Sequence, residues 1–548
     1  MRPIFTRSLA AASLAAAGAG LTGVADAAPP GPRAAAEASP SRVSWHTCPQ
    51  YSDAVLDFLR IQPRDRPKFR ALWARTQCGT IEVPQDYRRP HKKITIAFTR
   101  LPAADRAHRL GSLAMNPGGP GGSGYLLPAH LLLQNATDAK LNDRYDLIGF
   151  DPRGTGYSTL VDCPPVGDTG LSPLGARAGK AELRKHYDAV RAQRKKCSTT
   201  HSAFLSQLTT ANVARDLDRI RQALHEKRMS YFGASWGTQL GAVYRSMFPK
   251  TIGRMWLDSV VSPRAHDLSY RFDAVARSTE QDFALFASWL AARNGTYHLG
   301  ATPAQVRATV LKLRRDADAD PWRFSDLPQA LGGGFIAFAA AAADTGYDRA
   351  GQALKAMTAA ARGGPVPQAV KDMLSGGPER PPTPPPGTPR FNATAGDAFL
   401  CNEDTSSRDF ASFWKEYQAG LKRNPVTGDM TALRPTCAGW SLPVQRFELR
   451  RSSGSLQLSG HRHETVTPYP WVYQMQKAIG GNVLTVDDFA HGSLFLVEAC
   501  AAHLVTYLDT GRPDNGTCPG IRPGTDLRTG SVGSSLPTTT PYSWTDRL

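Results

Sequence analysis

Gly233-Ala234-Ser235-Trp236-Gly237 follows a short apolar run at 229–232. After it, Leu240, Val243, Tyr244, Met247 and Phe248 recur at helical spacing until Pro249 ends the run. The pattern predicts strand, sharp turn, helix. At such an elbow a serine sits on strained backbone with its hydroxyl exposed, and the flanking glycines keep Cβ atoms out of the crowded chain. The stretch therefore points to a nucleophilic serine on an α/β sheet. The competing reading is a plain Gly/Ser loop between two elements.

Outward from this turn, short apolar runs alternate with helical patterns. Ile94, Ile96 and Phe98 alternate with polar or small residues and, with 79–83, predict an antiparallel strand pair that opens the domain. From Leu113 onward come strands at 113–115 and 147–150, a helix carrying Val213, Leu217, Ile220 and Leu224, the strand before Ser235, and a strand at 255–261. This grammar builds a mainly parallel central sheet with helices on both faces. Around Pro263 it gives way to helical sequence, including 283–292, 306–313 and 334–343, and strands resume at 456–458 and 483–486, read as the last two of the sheet. A long terminal helix follows at 494–508, stopped by Gly511. The middle is thus expected to be an inserted helical cap domain. Within it, 378–389 holds seven prolines in twelve residues, which fits neither helix nor central strand.

The ends read differently. Arg2 and Arg7, the small apolar run 9–24 and Ala25-Asp26-Ala27 form a charged, an apolar and a cleavage region, so a signal peptide over 1–27 is expected. The expected organisation continues with a linker or short pro-segment over 28–41 and the first part of the core over 42–263. The cap insertion then spans 264–440, the second part of the core 441–518, and a low-complexity tail 519–548. No other segment approaches about 18 consecutive apolar residues, so no membrane span is expected and the mature chain reads as secreted.

The 548 residues are 41% hydrophobic and 20% charged, a globular composition. The net charge of +18 is scattered; its densest cluster is Arg184, Lys185, Arg191, Arg194, Lys195 and Lys196 on a predicted helix. Without interleaved aromatics this reads as a solvated helix face, which argues against nucleic acid and leaves weak adsorption to an anionic cell surface. The eight cysteines at 48, 78, 163, 197, 401, 437, 500 and 518 contain no Cys-x-x-Cys, which argues against zinc and redox motifs. Disulfides suit an exported chain. The simplest pairing is sequential, Cys48 with Cys78, Cys163 with Cys197, Cys401 with Cys437 and Cys500 with Cys518, although eight cysteines allow about 105 pairings.

A serine nucleophile needs a histidine base, a carboxylate to orient it, and donors for the oxyanion. In hydrolases of this architecture the chain order is Ser, acid, His. His491, after the strand at 483–486, occupies the histidine position. Glu464 is the carboxylate in the loop after 456–458, and Asp258, at the end of the strand after the elbow, competes with it, against the alternative of a structural aspartate bonding backbone amides. Asp487 and Asp488 read as turn caps, and His461 with His463 as an alternating pair too sparse for a metal. Asn116-Pro117-Gly118-Gly119-Pro120-Gly121-Gly122-Ser123-Gly124 follows the strand at 113–115. Gly118 or Gly119, with the amide of Trp236, is placed to form an oxyanion hole there. A phosphate loop is excluded, since no Gly-Lys-Ser/Thr follows.

These stretches, with 146–156 (Asp-Leu-Ile-Gly-Phe-Asp-Pro-Arg-Gly-Thr-Gly) and Thr465-Val466-Thr467-Pro468, resemble the secreted tripeptidyl aminopeptidases over about residues 45–520. These are α/β-hydrolases related to proline iminopeptidases. The resemblance implies a serine exopeptidase that releases short peptides, typically tripeptides, from free N-termini, with no metal or cofactor and with the helical insertion capping the site. It carries over Ser235 as nucleophile and His491 as base. Where the family usually has aspartate four residues before the Thr-Pro proline, this chain has Glu464, whose longer side chain still reaches a histidine. The family's cap carboxylates for the substrate α-ammonium would fall on Glu403 or Asp404. Competing expectations are a secreted esterase or lipase using the same residues, a single-residue, proline-type aminopeptidase, and a non-catalytic binding protein on the same fold.

Overall fold

The computed structural model describes residues 42–341, 346–375, 384–389, 391–428, 435–522 and 525. The expected signal peptide and linker, and nearly all of the low-complexity tail, lie outside the described residues.

Ten strands form one sheet. β1 (Ser44–His46), β2 (Gln77–Asp86) and β3 (Arg89–Leu101) pair antiparallel, and β3 pairs antiparallel with β5 (Tyr145–Phe150). From there every pairing is parallel. β4 (Gly111–Asn116), β6 (Met229–Ala234), β7 (Ile252–Asp258), β8 (Leu456–His461), β9 (Asn482–Asp487) and β10 (Thr517–Pro519) complete the order β1-β2-β3-β5-β4-β6-β7-β8-β9-β10. β5, β6 and β8 are buried along their whole length, as strands covered on both faces must be.

Alternate residues of these strands feed two cores. Ala114, Ile148, Tyr231 and Met255 pack with the helices Thr210–Ala223 and Trp236–Met247 through Val213, Leu217, Leu240 and Val243. Leu113, Leu147, Phe232 and Trp256 point the other way, onto Leu127, Leu131, Leu504 and Leu508 of the helices Leu127–Gln134 and Glu498–Thr510. The chain is thus an α/β-hydrolase fold. Its connections run along one edge of the parallel strands, where ligands of such sheets bind.

Between β7 and β8 the chain is helical: Leu268–Ala291, Pro303–Ala319, Gly333–Ala340, Tyr347–Ala359, Gln368–Ser375, Ala393–Cys401 and Phe410–Arg423. The first five surround an apolar core of their own, with Phe283, Phe286, Val310, Phe335 and Leu354 at its centre and Leu174 and Val426 inserted from outside. The last part of the segment packs on the sheet core instead, through Ala395, Ala398 and Phe399.

Disulfides join Cys48–Cys78, Cys163–Cys197, Cys401–Cys437 and Cys500–Cys518. Each contributes about 2–4 kcal/mol by restricting the unfolded chain. The basic helix Lys180–Thr200 is anchored through Arg194, which pairs with Asp397, whereas Arg184 pairs with Asp188 on the same exposed helix face at 2.7 Å.

Two expectations are corrected. β9 is not the last strand, because Cys518 pairs with Val486 and is tied back by Cys500. A three-residue strand ending in proline leaves no periodic signal. The terminal helix begins at Glu498, not Leu494: Gly492 is left-handed (φ 68°), Ser493–Phe495 form a single 3-10 turn, and Val497 is extended. Leu494 and Phe495 are apolar because they join the core below the sheet, which mimics helical periodicity.

Candidate active site

Ser235 stands between β6 and the helix Trp236–Met247 with φ 58° and ψ −128°, a conformation that costs a non-glycine residue of order 1–3 kcal/mol and persists only where surroundings enforce it. The neighbours do so. The Ser235 amide donates to the Asp258 carbonyl at the end of β7 (3.1 Å), and the Ser235 carbonyl accepts from the Thr238 amide (2.9 Å) and from Thr238 Oγ1 (2.7 Å). Thr238 Oγ1 in turn accepts from the Val261 amide (3.0 Å).

The glycine loop abuts this turn. Gly118 has φ 94°, and a Cβ there would lie 2.5 Å from the Ala234 carbonyl, 2.8 Å from Ser235 Cβ and 2.9 Å from the Trp236 nitrogen. Only glycine lets the loop come this close. The Gly118 amide is itself committed to Asn116 Oδ1 (2.9 Å), so of the two expected loop amides only that of Gly119 has no acceptor among the described residues. Asp151 braces the far end of the loop: its Oδ1 accepts from Ser123 Oγ (2.6 Å) and the Gly124 amide (3.1 Å), and its Oδ2 from the Tyr157 amide (2.7 Å). Burial pushes the Asp151 carboxyl up to about 6 despite these donors. Arg153, fully buried, holds the adjoining turn through Asp216 and the carbonyls of Pro84, Gln85 and Gln207.

β6 and β7 end in register, Ala234 beside Asp258, while β8 runs two residues past the Asp258–Ser459 pairing to His461, which stands beside Val486 of β9. The loops that follow therefore leave one edge of the sheet together. His491 Nδ1 is hydrogen-bonded to Glu464 Oε1, with Glu464 fully buried and the His491 side chain 11% exposed. Glu464 is heavily supported. Oε1 also accepts from the amide (2.9 Å) and hydroxyl of Thr467, and Oε2 accepts from Ser259 Oγ (3.0 Å). Ser259 Oγ in turn accepts from the Gly492 amide (2.8 Å), bridging the carboxylate to the residue after His491. From the helical segment, Ser278 Oγ donates to the Glu464 carbonyl (3.0 Å).

Asp258 lies elsewhere. Its Oδ1 accepts from Ser459 Oγ (2.6 Å) and faces His461 Nε2 (2.9 Å), so it bonds side chains rather than backbone amides and is occupied away from His491. Asp488 is not a turn cap either: its Oδ1 meets His461 Nδ1 (2.6 Å), and its Oδ2 accepts from Ser493 Oγ and the Ile521 amide (3.2 Å). Asp487 pairs with Arg462 at 2.7 Å. Burial alone would push the His461 imidazole down, but Asp488 and Asp258 outweigh it and hold it well above the ordinary histidine range.

Glu403 and Asp404 are both buried and engaged within the chain. Glu403 accepts from the Thr210 amide (2.7 Å) and from Gln239 Nε2 (2.8 Å), one turn along the elbow helix from Ser235, and burial pushes it up to about 7. Asp404 Oδ1 accepts from the Ser406 amide (2.9 Å) and hydroxyl (2.7 Å) and from the Leu268 amide (3.3 Å), beside a cleft lined by Leu268, Ser406, Arg408 and Glu416. Glu403 thus accepts a hydrogen bond at each oxygen, whereas Asp404 itself lines the cleft and its Oδ2 faces Arg408 Nε at 3.7 Å.

Sequence reasoning passed over Ser259, Asp488 and His461 as parts of the site. The signal for the last two lies in spacing: Glu464 follows His461 by three positions, His491 follows Asp488 by three, and both pairs are 27 residues apart. Phe391 was also missed; it is 39% exposed and its ring lies 3.5 Å from where a Gly119 Cβ would stand.

Fold and site together define an α/β-hydrolase organised around a serine elbow. Known proteins agree. A family model for the alpha/beta hydrolase fold matches residues 112–361, and one described as TAP-like protein matches residues 424–518. The chain is 32% identical over 469 residues to the tripeptidyl aminopeptidase of Streptomyces lividans, covering 80% of this chain and 82% of that protein. It is 40% identical over 258 residues to the tripeptidyl aminopeptidase of Streptomyces coelicolor (45% and 46% covered). It is 34% identical over 236 residues to the serine protease Hip1 of Mycobacterium tuberculosis (42% and 44% covered). The chain belongs to the tripeptidyl aminopeptidase family, and it is a serine hydrolase of the peptidase class.

Proposed function

We propose that the protein is an exported exopeptidase that releases short peptides, tripeptides foremost, from free N-termini, with Ser235 as nucleophile, His491 as base and Glu464 as the acid that orients it. The observation that carries the assignment is the Glu464–His491 pair, braced by Thr467 and Ser259 on the sheet edge where the strained Ser235 elbow ends β6.

Ser235 Oγ attacks the scissile carbonyl carbon while His491 Nε2 takes the hydroxyl proton. The carbonyl oxygen, now negative, is received by the amides of Trp236 and Gly119, donors that typically contribute about 2.7–4 kcal/mol each. The tetrahedral adduct collapses by breaking the C–N bond, and His491 gives its proton to the departing amine. Water, giving a proton to His491, then attacks the acyl carbon; the second adduct collapses by breaking the bond to Ser235 Oγ, which takes the proton back from His491 as the peptide leaves with its new carboxyl group. Glu464 stays ionised, fixing the tautomer with Nδ1–H toward itself and stabilising the imidazolium that forms at each half-step.

Family membership supports the peptide length and the free N-terminus, and four disulfides support export to an oxidising compartment. Among the described residues no helix is long and apolar enough to cross a membrane. The helical segment between β7 and β8, which reaches the acid loop through Ser278, acts in this reading as the cap that limits access to peptide ends.

The test compares chromogenic amides of a free tripeptide, the same tripeptide acetylated, a single proline, and a short-chain ester, beside Ser235→Ala. The free tripeptide amide is expected to turn over fastest and the acetylated one to be rejected. Equal turnover of free and blocked amides contradicts the exopeptidase reading, and preference for the ester favours an esterase.

A further inference from the structure

We propose that His461 is a positioning residue for this hydrolysis: clamped between Asp258 and Asp488, it locks the loop carrying Glu464 to the loop carrying His491 and both to the strand beside the nucleophile. The inference rests on the assignment of Ser235, Glu464 and His491 above.

His461 ends β8 and its side chain is wholly buried, as are those of Asp258 and Asp488. Both ring nitrogens face carboxylate oxygens, at 2.6 Å and 2.9 Å. A neutral imidazole has one N–H and would set its other lone pair against an oxygen, so this geometry fits the doubly protonated ring. The balance of charge agrees. Two buried carboxylates, one with an oxygen (Asp258 Oδ2) lacking any partner among the described residues, would be costly without a cation between them.

The clamp joins the ends of three successive strands. Asp258 precedes Ser259, the donor to Glu464 Oε2; His461 stands three residues before Glu464; Asp488 stands three residues before His491. Ser493 reinforces it from the far side by donating to Asp488. Backbone bonds from the Arg462 amide to the Val486 carbonyl (2.9 Å) and from the His463 amide to the Asp488 carbonyl (2.8 Å) hold the same two loops, but they fix only the first residues after each strand. The clamp fixes the side on which the catalytic groups leave. Its loss shifts the acid against the base, and a displacement of about 1 Å in such a constellation costs about 100-fold in rate.

Steady-state kinetics on a free tripeptide chromogenic amide, with melting temperatures, are measured for the wild type, His461→Gln, Ser493→Ala and Ser235→Ala. Glutamine donates from one end only and cannot span both carboxylates. The expected result for His461→Gln is a kcat about 100-fold lower with KM within about threefold, the signature of lost transition-state alignment rather than lost binding. Ser493→Ala, a milder loosening, lowers kcat about tenfold in the same pattern. A folded His461→Gln protein with wild-type kcat and only a reduced melting temperature overturns the proposal. If His461→Gln does not fold, Ser493→Ala decides, and wild-type kcat there overturns it. Retained activity in Ser235→Ala strikes the catalytic assignment itself and is distinguishable from either outcome.

Discussion

Two histidine–carboxylate pairs link the loops after β8 and β9, and they run in opposite senses. The β8 loop gives the carboxylate Glu464 to His491, while the end of β8 gives the histidine His461 to Asp488. They differ in surroundings. His461 is sealed from solvent and meets a second carboxylate, Asp258, so both of its nitrogens are spent and the ring becomes a fixed cation. His491 is slightly exposed and bonded to a carboxylate at Nδ1 alone, which leaves Nε2 for proton transfer. In the proposed mechanism one residue type thus makes a strut where two acceptors enclose it and a base where one acceptor orients it.

The comparison breaks first at the histidines themselves. His491→Ala is expected to lower kcat about 10,000-fold with little change in melting temperature, whereas His461→Gln lowers both; kinetics and calorimetry on the two variants check this. Equal kinetic losses would erase the distinction between base and strut. The acid's second support is the next lever. Ser259→Ala removes the donor to Glu464 Oε2 and the bridge to Gly492, and kcat should fall about tenfold to 100-fold at nearly constant KM.

Stability against pH sharpens the contrast among buried carboxylates. Among the described residues no cation stands beside Glu403, and burial pushes it from 4.5 up to about 7. A carboxyl raised in the folded state favours folding below its unfolded value and loses that advantage as pH rises through the folded one, here between about 4.5 and 7. Glu403→Gln should therefore flatten the fall in melting temperature between pH 5 and pH 8, a difference of up to about 3 kcal/mol. A parallel decline in both proteins would contradict it. His461, a cation raised by Asp488 and Asp258, contributes stability that is complete below about pH 6.5 and declines above it. The melting-temperature gap between wild type and His461→Gln should be widest at pH 6 and narrow toward pH 9.

Much of this was legible because local pattern and local structure coincide. The elbow is one pentapeptide, the strands are short apolar runs, and Ser, Glu and His follow in the order the sheet requires. What escaped depends on neighbours distant in sequence. Ser259 matters through Glu464, 205 positions away, and Asp258 meets His461 across 203. The equal 27-residue spacing of the His461–Asp488 and Glu464–His491 pairs becomes a signal only once β8 and β9 are known to be adjacent and parallel. The helical segment was legible as helices, but not as a separate core that Leu174 completes from outside the segment and Val426 from its far end. The glycine loop offers Gly118 or Gly119 as a donor by its position alone; the structure uses Gly118 for close approach and commits its amide to Asn116.

The most direct test of the whole arrangement compares Glu464→Gln with Asp258→Asn in single-turnover hydrolysis of a free tripeptide chromogenic amide. With Glu464 as the orienting acid, Glu464→Gln should slow acylation about 10,000-fold, and Asp258→Asn, which only loosens the clamp, by about 100-fold or less. The reverse order, with Asp258→Asn the more damaging, would contradict the account.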